Sequence, residues 1–150
     1  GNIAPEDFFR AICQRSEKPL SMELAADYWN LILLDIPQEK LKVIRHLRKH
    51  YHVHLLSNTN RPHWEYICQK CFQANGFNLN DYFEQIFLSY EMHLAKPNKQ
   101  IFVQMLEESG MNPEETLFID DSEANCQAAE EVGIHTHHYH IGDDLNEIFK

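Results

Sequence analysis

The stretch Leu117-Phe118-Ile119-Asp120-Asp121-Ser122 constrains this chain more than any other. Three apolar residues run directly into two adjacent carboxylates, and a helical pattern of Ala124, Ala128, Ala129 and Val132 begins just beyond. A continuous apolar run reads as a strand of a parallel sheet buried on both faces, and in open α/β sheets ligands bind beyond the carboxyl ends of the strands. Two carboxylates at such an end suit a hard divalent cation, Mg²⁺ above all, which prefers oxygen ligands. A local explanation competes. Asp121 or Ser122 would simply cap the next helix, a position where both residue types are favoured.

The chain has 150 residues, enough for one domain with a sizeable core, and its 43% hydrophobic and 24% charged content is ordinary for a globular protein. The formal net charge of -10 argues against a nucleic-acid partner, which needs a basic face. It leaves a phosphate ester open, because a bound metal reverses the local field. No apolar run approaches the roughly 20 residues of a membrane span, so no membrane partner is expected. Cys13, Cys68, Cys71 and Cys126 fall in helical segments, which implies a reducing, cytoplasmic setting. Cys68 and Cys71 read as helix-face thiols, since a redox or zinc pair would need a different context.

From the beginning, Pro5 to about Arg15 predicts a short amphipathic helix with Glu6 and Asp7 complementing its dipole. Ser21 opens a second helix with Leu24, Tyr28, Leu31 and Ile32 at helical spacing, ending near Asp35 ahead of Pro37. Gln38 to His50 predicts a third, with Leu41, Ile44 and Leu47 on its apolar face. Val53 to Leu56 is the first strand, and it delivers Ser57-Asn58-Thr59-Asn60, whose hydroxyl, amide and backbone N–H groups can bind an anion. The same residue types also make ordinary strand-to-helix turns.

A helix from about Pro62 to Ala74 stops at Asn75-Gly76, a turn follows at Asp81-Tyr82-Phe83, and Gln85 to Leu88 is a second strand. Lys96, between Ala95 and Pro97, stands just ahead of a helix capped by Asn98 and ended by Gly110. There it is a suitable point charge for a phosphate, or a solvated surface lysine. Strands at Thr116–Ile119 and Ile134 to about Tyr139 and a short helix containing Leu145 and Ile148 complete the order. Strands alternating with helices from Val53 onward predict a doubly wound parallel sheet of α/β class. Along the last strand, alternation puts His135 and His137 on one face and His138 and His140 on the other, which favours a polar sheet edge over a metal cluster.

Ser57, Lys96 and the pair Asp120-Asp121 therefore lie at the carboxyl ends of different strands. Together they supply an anion donor, a cation and a metal ligand, the parts that phosphoryl transfer needs.

The order S-N-T-N after H-L-L, then Y-E-M-H-L-A-K-P-N-K-Q-I-F, then L-F-I-D-D-S-E-A-N-C-Q-A-A, resembles the haloacid dehalogenase superfamily, most of all its phosphatase-like members with a small helical cap. The resemblance implies a Rossmann-like core over residues 36–150, with residues 1–35 corresponding to the end of the cap. It implies that Ser57 and Asn58 contact the phosphoryl group and that Lys96 neutralises nucleophile and phosphate. Asp121 would ligate Mg²⁺, and Asp120 would ligate it or hold its water. The implied reaction is Mg²⁺-dependent hydrolysis of a small phosphorylated metabolite, sugar phosphates included, through an aspartyl-phosphate.

One departure limits this. The family's D-x-D, which supplies the nucleophile and the general acid/base, occurs nowhere in these residues. In the family its strand lies between the Ser57 strand and the Asp120 strand. The expectation is a chain that is a fragment of a longer protein or has lost its beginning, is inactive as it stands, and leaves inner backbone groups unpaired unless those strands close up. A non-catalytic relative that binds phosphate, metal or a protein is the alternative. A response-regulator receiver domain shares the residue types, but there the acidic pair comes first in the chain.

Overall fold

The computed structural model describes residues 3–73 and 76–149. They form two compact units, one from the chain up to Val53 together with Thr59–Glu84, the other from His54–Asn58 together with the chain from Gln85 onward.

In the first unit, α1 (Pro5–Arg15) starts at its proline as expected, with Glu6 and Asp7 in its first turn. The Ser21 hydroxyl caps α2 (Met22–Asn30) by accepting the Leu24 N–H at 3.1 Å. This helix stops at Asn30, short of the expected Asp35. Leu31 and Ile32 are 73% and 75% exposed, so no packed face rewards a further turn. Helix α3 (Gln38–Leu47) buries Leu41 and closes in a turn through Arg48–His50, where a longer helix was expected. The Asn60 side chain caps α4 (Arg61–Ile67), and a π-helical turn follows at Cys68–Phe72. The end predicted for this helix, at Ala74 and Asn75, lies outside the described residues. Phe72 meets Tyr82 and Phe83 edge-on at 5.1 and 5.6 Å, while Phe8 meets Trp29 at 4.7 Å. Cys68 and Cys71 are both buried in this aromatic packing, as helix-face thiols.

The second unit holds all four strands: β1 (His54–Ser57), β2 (Gln85–Leu88), β3 (Leu117–Asp120) and β4 (His135–His138). Strand β1 pairs in parallel with β2, from His54 opposite Gln85 to Ser57 opposite Leu88. Strand β3 pairs in parallel with β4, from Leu117 opposite His135 to Asp120 opposite His138. Parallel α/β structure is as the sequence predicts, but the strands form two ladders and not one sheet, for β1 and β3 are unpaired with each other. Both of these strands sit one residue later than expected. Ser57 and Asp120 are therefore the last ladder residues rather than loop residues, and the sheet itself fixes their positions.

The intervening elements are α5 (Ser89–Met92), α6 (Lys99–Ser109), α7 (Glu123–Glu130) and α8 (Leu145–Ile148). Asn98 caps α6 through the Gln100 N–H at 3.0 Å, and Gly110 ends it at φ +71° in the left-handed region that only glycine adopts without strain. Leu56, Phe87, Ile101, Phe102, Met105, Ala128, Ala129 and Ile134 form the core between helices and strands. Among the described residues no helix is long and apolar enough to cross a membrane.

Candidate active site

Ser57 ends β1, Asp120 ends β3, and Lys96 lies in the loop after α5. The structure joins Lys96 to Asp120 and to the strand that Ser57 ends. The Lys96 ammonium donates to Asp120 Oδ2 at 2.6 Å and to the Leu56 carbonyl at 3.0 Å, so one side chain spans the ends of two strands that are not paired with each other. Both side chains of the pair are 8% exposed. The ammonium also lies 5.2 Å from the Phe118 ring, a further cation contact with the β3 strand.

Asp120 is fully committed to holding this arrangement. Its Oδ1 accepts the Ser122 N–H at 2.9 Å and the Asn125 side-chain amide at 2.8 Å, so Asp120 itself closes the first turn leading into α7. Ser122 occupies the cap position yet makes no side-chain cap bond. Burial alone would push the Asp120 carboxyl upward. The hydrogen bonds from Lys96, Asn125 and Ser122, with the Lys96 charge, outweigh it and hold the group below the ordinary carboxylate range.

The Asn58 side chain is taken up by Lys96. Its Oδ1 accepts the Lys96 N–H at 2.9 Å and its Nδ2 donates to the Lys96 carbonyl at 2.8 Å. This two-point clasp positions the Lys96 backbone, and it leaves the Asn58 side chain little to offer an anion. The Ser57 hydroxyl, by contrast, has no side-chain partner among the described residues.

Asp121 is exposed, and its carboxylate makes no hydrogen bond or ion pair among the described residues. Its carbonyl accepts from His138 Nε2–H at 3.1 Å, across the β3–β4 ladder. Among the described residues no three His, Cys, Asp or Glu side chains converge as a metal cage. Mg²⁺ does not require one, since it keeps several waters and takes one or two carboxylates plus substrate phosphate oxygens. One uncommitted carboxylate, Asp121, beside a second that is charge-compensated fits such a partial shell.

Two supporting residues escaped the sequence reading. Asn125 had a usable signal, an amide in the first helical turn after an acidic pair. His138 had none, because its contact to the Asp121 carbonyl depends on the register of β4 against β3.

Residues 6–133 match the family of haloacid dehalogenase-like hydrolases. The chain belongs to that family. A haloacid dehalogenase (HAD) relative from Bacteroides thetaiotaomicron, named D-ribitol-5-phosphate phosphatase, is 35% identical over 147 residues, covering 98% of this chain and 71% of the relative. The crystal structure of a wild-type HAD family enzyme from the same species, in complex with magnesium and inorganic phosphate, superposes with a TM-score of 0.95 at 43% identity, over 100% of this chain and 76% of the other. An HAD-like family hydrolase from Porphyromonas gingivalis superposes with a TM-score of 0.88 at 35% identity, over 99% of this chain and 73% of that one. The receiver-domain reading is thereby set aside.

Proposed function

We propose that this chain carries the phosphate-gripping and cation-bearing part of a phosphomonoester hydrolase acting on small sugar or sugar-alcohol phosphates. The observation that supports it most is the Lys96 ammonium fixed between the ends of β1 and β3, with an uncommitted Ser57 hydroxyl and an uncommitted Asp121 carboxylate at those same ends. The named substrate of the 35% identical relative favours the sugar-alcohol class, and the magnesium and phosphate in the superposed enzyme favour the same ligands here.

The Ser57 hydroxyl donates to a phosphate oxygen, joined by backbone N–H groups of the turn at Asn58. Lys96 supplies a rigid positive charge to the equatorial oxygens, held in place by Asp120 on one side and by the Asn58 clasp on the other. Asp121 is the direct ligand for Mg²⁺, with Asp120 beside it. The metal, when bound, neutralises charge on the phosphate. Charge balance makes that cation necessary. Lys96 against Asp120 and Asp121 leaves one net negative charge, which repels a phosphate dianion until a divalent ion reverses it. These residues contain no D-x-D, so the covalent step is assigned to none of them. In this reading residues 1–35 serve as part of the cap that chooses the substrate.

The experiment is phosphate release from ribitol 5-phosphate and from an aryl phosphate, using the gene product that carries this sequence. Activity that needs Mg²⁺ and falls by orders of magnitude in Lys96→Ala and Asp121→Asn is expected. Unchanged activity in both variants would remove the assignment.

A further inference from the structure

Helix α3 carries a feature that phosphoryl chemistry at Ser57 and Lys96 does not use. In a chain of formal charge -10, the segment 38–50 holds Lys40, Lys42, Arg45, Arg48 and Lys49 against a single acid, Glu39. Lys42, Arg45 and His46 share one face of the helix, opposite the apolar face that buries Leu41, and Lys49 follows in the turn that closes it. That face lines a cavity of about 500 Å³, together with Arg48, Phe77, Asn80 and one carboxylate, Asp81. None of these residues belongs to the site built on Lys96.

Basic residues in a last helical turn complement the helix dipole, which accounts for some of this charge. It does not account for the way Arg45 is held. The guanidinium lies 3.5 Å from the centre of the Phe77 ring and 5.8 Å from that of Tyr82. A guanidinium stacked on an aromatic face keeps its N–H edge in plane, the edge that recognises phosphate or carboxylate in bidentate fashion. Arg45 Nε is shut away from solvent, so the terminal Nη groups are the part of the fork left for a ligand, and among the described residues neither Arg45 nor Lys49 is in an ion pair. Of the nearby acids, Glu39 reaches Lys42 at 3.9 Å, which leaves Arg45 and Lys49 as the uncommitted cations. Glu84 takes Arg48 at 3.5 Å and His52 at 2.7 Å, and Asp81 accepts the Asn78 N–H at 2.7 Å.

We infer that this cavity binds a small metabolite bearing two phosphate groups, one on the Arg45 fork and one on Lys49 or Lys42. A second phosphate has its own cations to meet, because Lys42 lies within α3 before Arg45 and Lys49 lies beyond it in the turn that closes the helix. The volume falls within the range of roughly 300–1,000 Å³ typical of small-molecule sites. This inference does not depend on the phosphatase reading.

The test is calorimetric titration of the protein with fructose 1,6-bisphosphate in EDTA, where no divalent metal can support binding through Asp121. One saturable site is expected, weakening as salt screens it. Lys49→Gln lies on the exposed surface and should weaken binding roughly tenfold, as loss of a charge-assisted contact does. Arg45→Gln should weaken it further, with an unchanged circular dichroism spectrum confirming the fold. Absence of saturable binding, or wild-type affinity in Lys49→Gln, overturns the site. Tighter binding to a duplex oligonucleotide or to anionic vesicles than to the bisphosphate overturns its assignment to a small metabolite.

Discussion

Lys96 Nζ stands 2.6 Å from Asp120 Oδ2 with both side chains 8% exposed, and this pair joins two strands that share no ladder bond. A pair so buried is strongly coupled. Each partner offsets the desolvation of the other, and the Leu56 carbonyl, Ser122 N–H and Asn125 amide fill the remaining positions around them. The same contacts that keep the charges in place also aim the ammonium at the ends of β1 and β3.

Breaking the pair from one side should therefore be costly. Lys96→Met leaves Asp120 buried without its cation and should lower unfolding free energy by about 3 to 5 kcal/mol, read from urea midpoints. The double variant Lys96→Met/Asp120→Asn should be more stable than Lys96→Met alone. A single variant that unfolds with wild-type protein would show that the pair is not coupled.

Acid should expose the same linkage. The folded state holds the Asp120 carboxyl below its ordinary value, so its contribution is complete above the unfolded value of about 3.9 and is lost as pH falls through the folded one. Asp120→Asn removes that contribution. Stability measured from pH 6 downward should fall more steeply for wild type than for Asp120→Asn at the acid end. Parallel curves would contradict the shift.

The places of Ser57 and Asp120 in the fold were legible because both residues are tied to strand ends. The apolar run before Asp120 and the short run before Ser57 announced strands, and Pro97-Asn98 announced the helix start behind Lys96. What the sequence could not convey was the partnering of side chains. Asp120 and Asp121 look equivalent as letters, yet one is buried and saturated with donors while the other is exposed and uncommitted. Asn58 looked like an anion donor because nothing in its neighbours reveals a clasp to a residue 38 positions away. Helix α2 was overextended for a related reason. Periodic Leu31 and Ile32 promised a packed face, and a helix needs that packing to persist.

The Asn58 clasp makes a separable claim. Asn58→Ala removes both hydrogen bonds to the Lys96 backbone, at about 1 kcal/mol each. Phosphate affinity should drop because Lys96 loses its position, although the Asn58 side chain donates nothing to the anion. Asn58→Asp sets a carboxylate oxygen against the Lys96 carbonyl and adds negative charge beside the anion, so it should lose more affinity than Asn58→Ala; wild-type affinity in either variant would contradict the clasp.

The thiols give a check on the first unit. Burial, with Glu65 nearby, pushes the Cys68 thiol up to about 11, and Cys71 is 4% exposed. Under native conditions near pH 8 both should resist an aromatic disulfide reagent, while the half-buried Cys13 reacts first. All four should react in denaturant. Rapid native labelling of Cys68, mapped by mass spectrometry, would speak for a reactive C-x-x-C.

The central claim is that phosphate is held at Lys96 and Ser57 only when a divalent cation sits on Asp121. Calorimetric titration of this chain with inorganic phosphate, with and without Mg²⁺, tests it most directly. Saturable binding should appear with Mg²⁺, vanish without it, and lose its metal dependence in Asp121→Asn. Equal phosphate binding with and without Mg²⁺, or undiminished Mg²⁺ dependence in Asp121→Asn, would contradict the account.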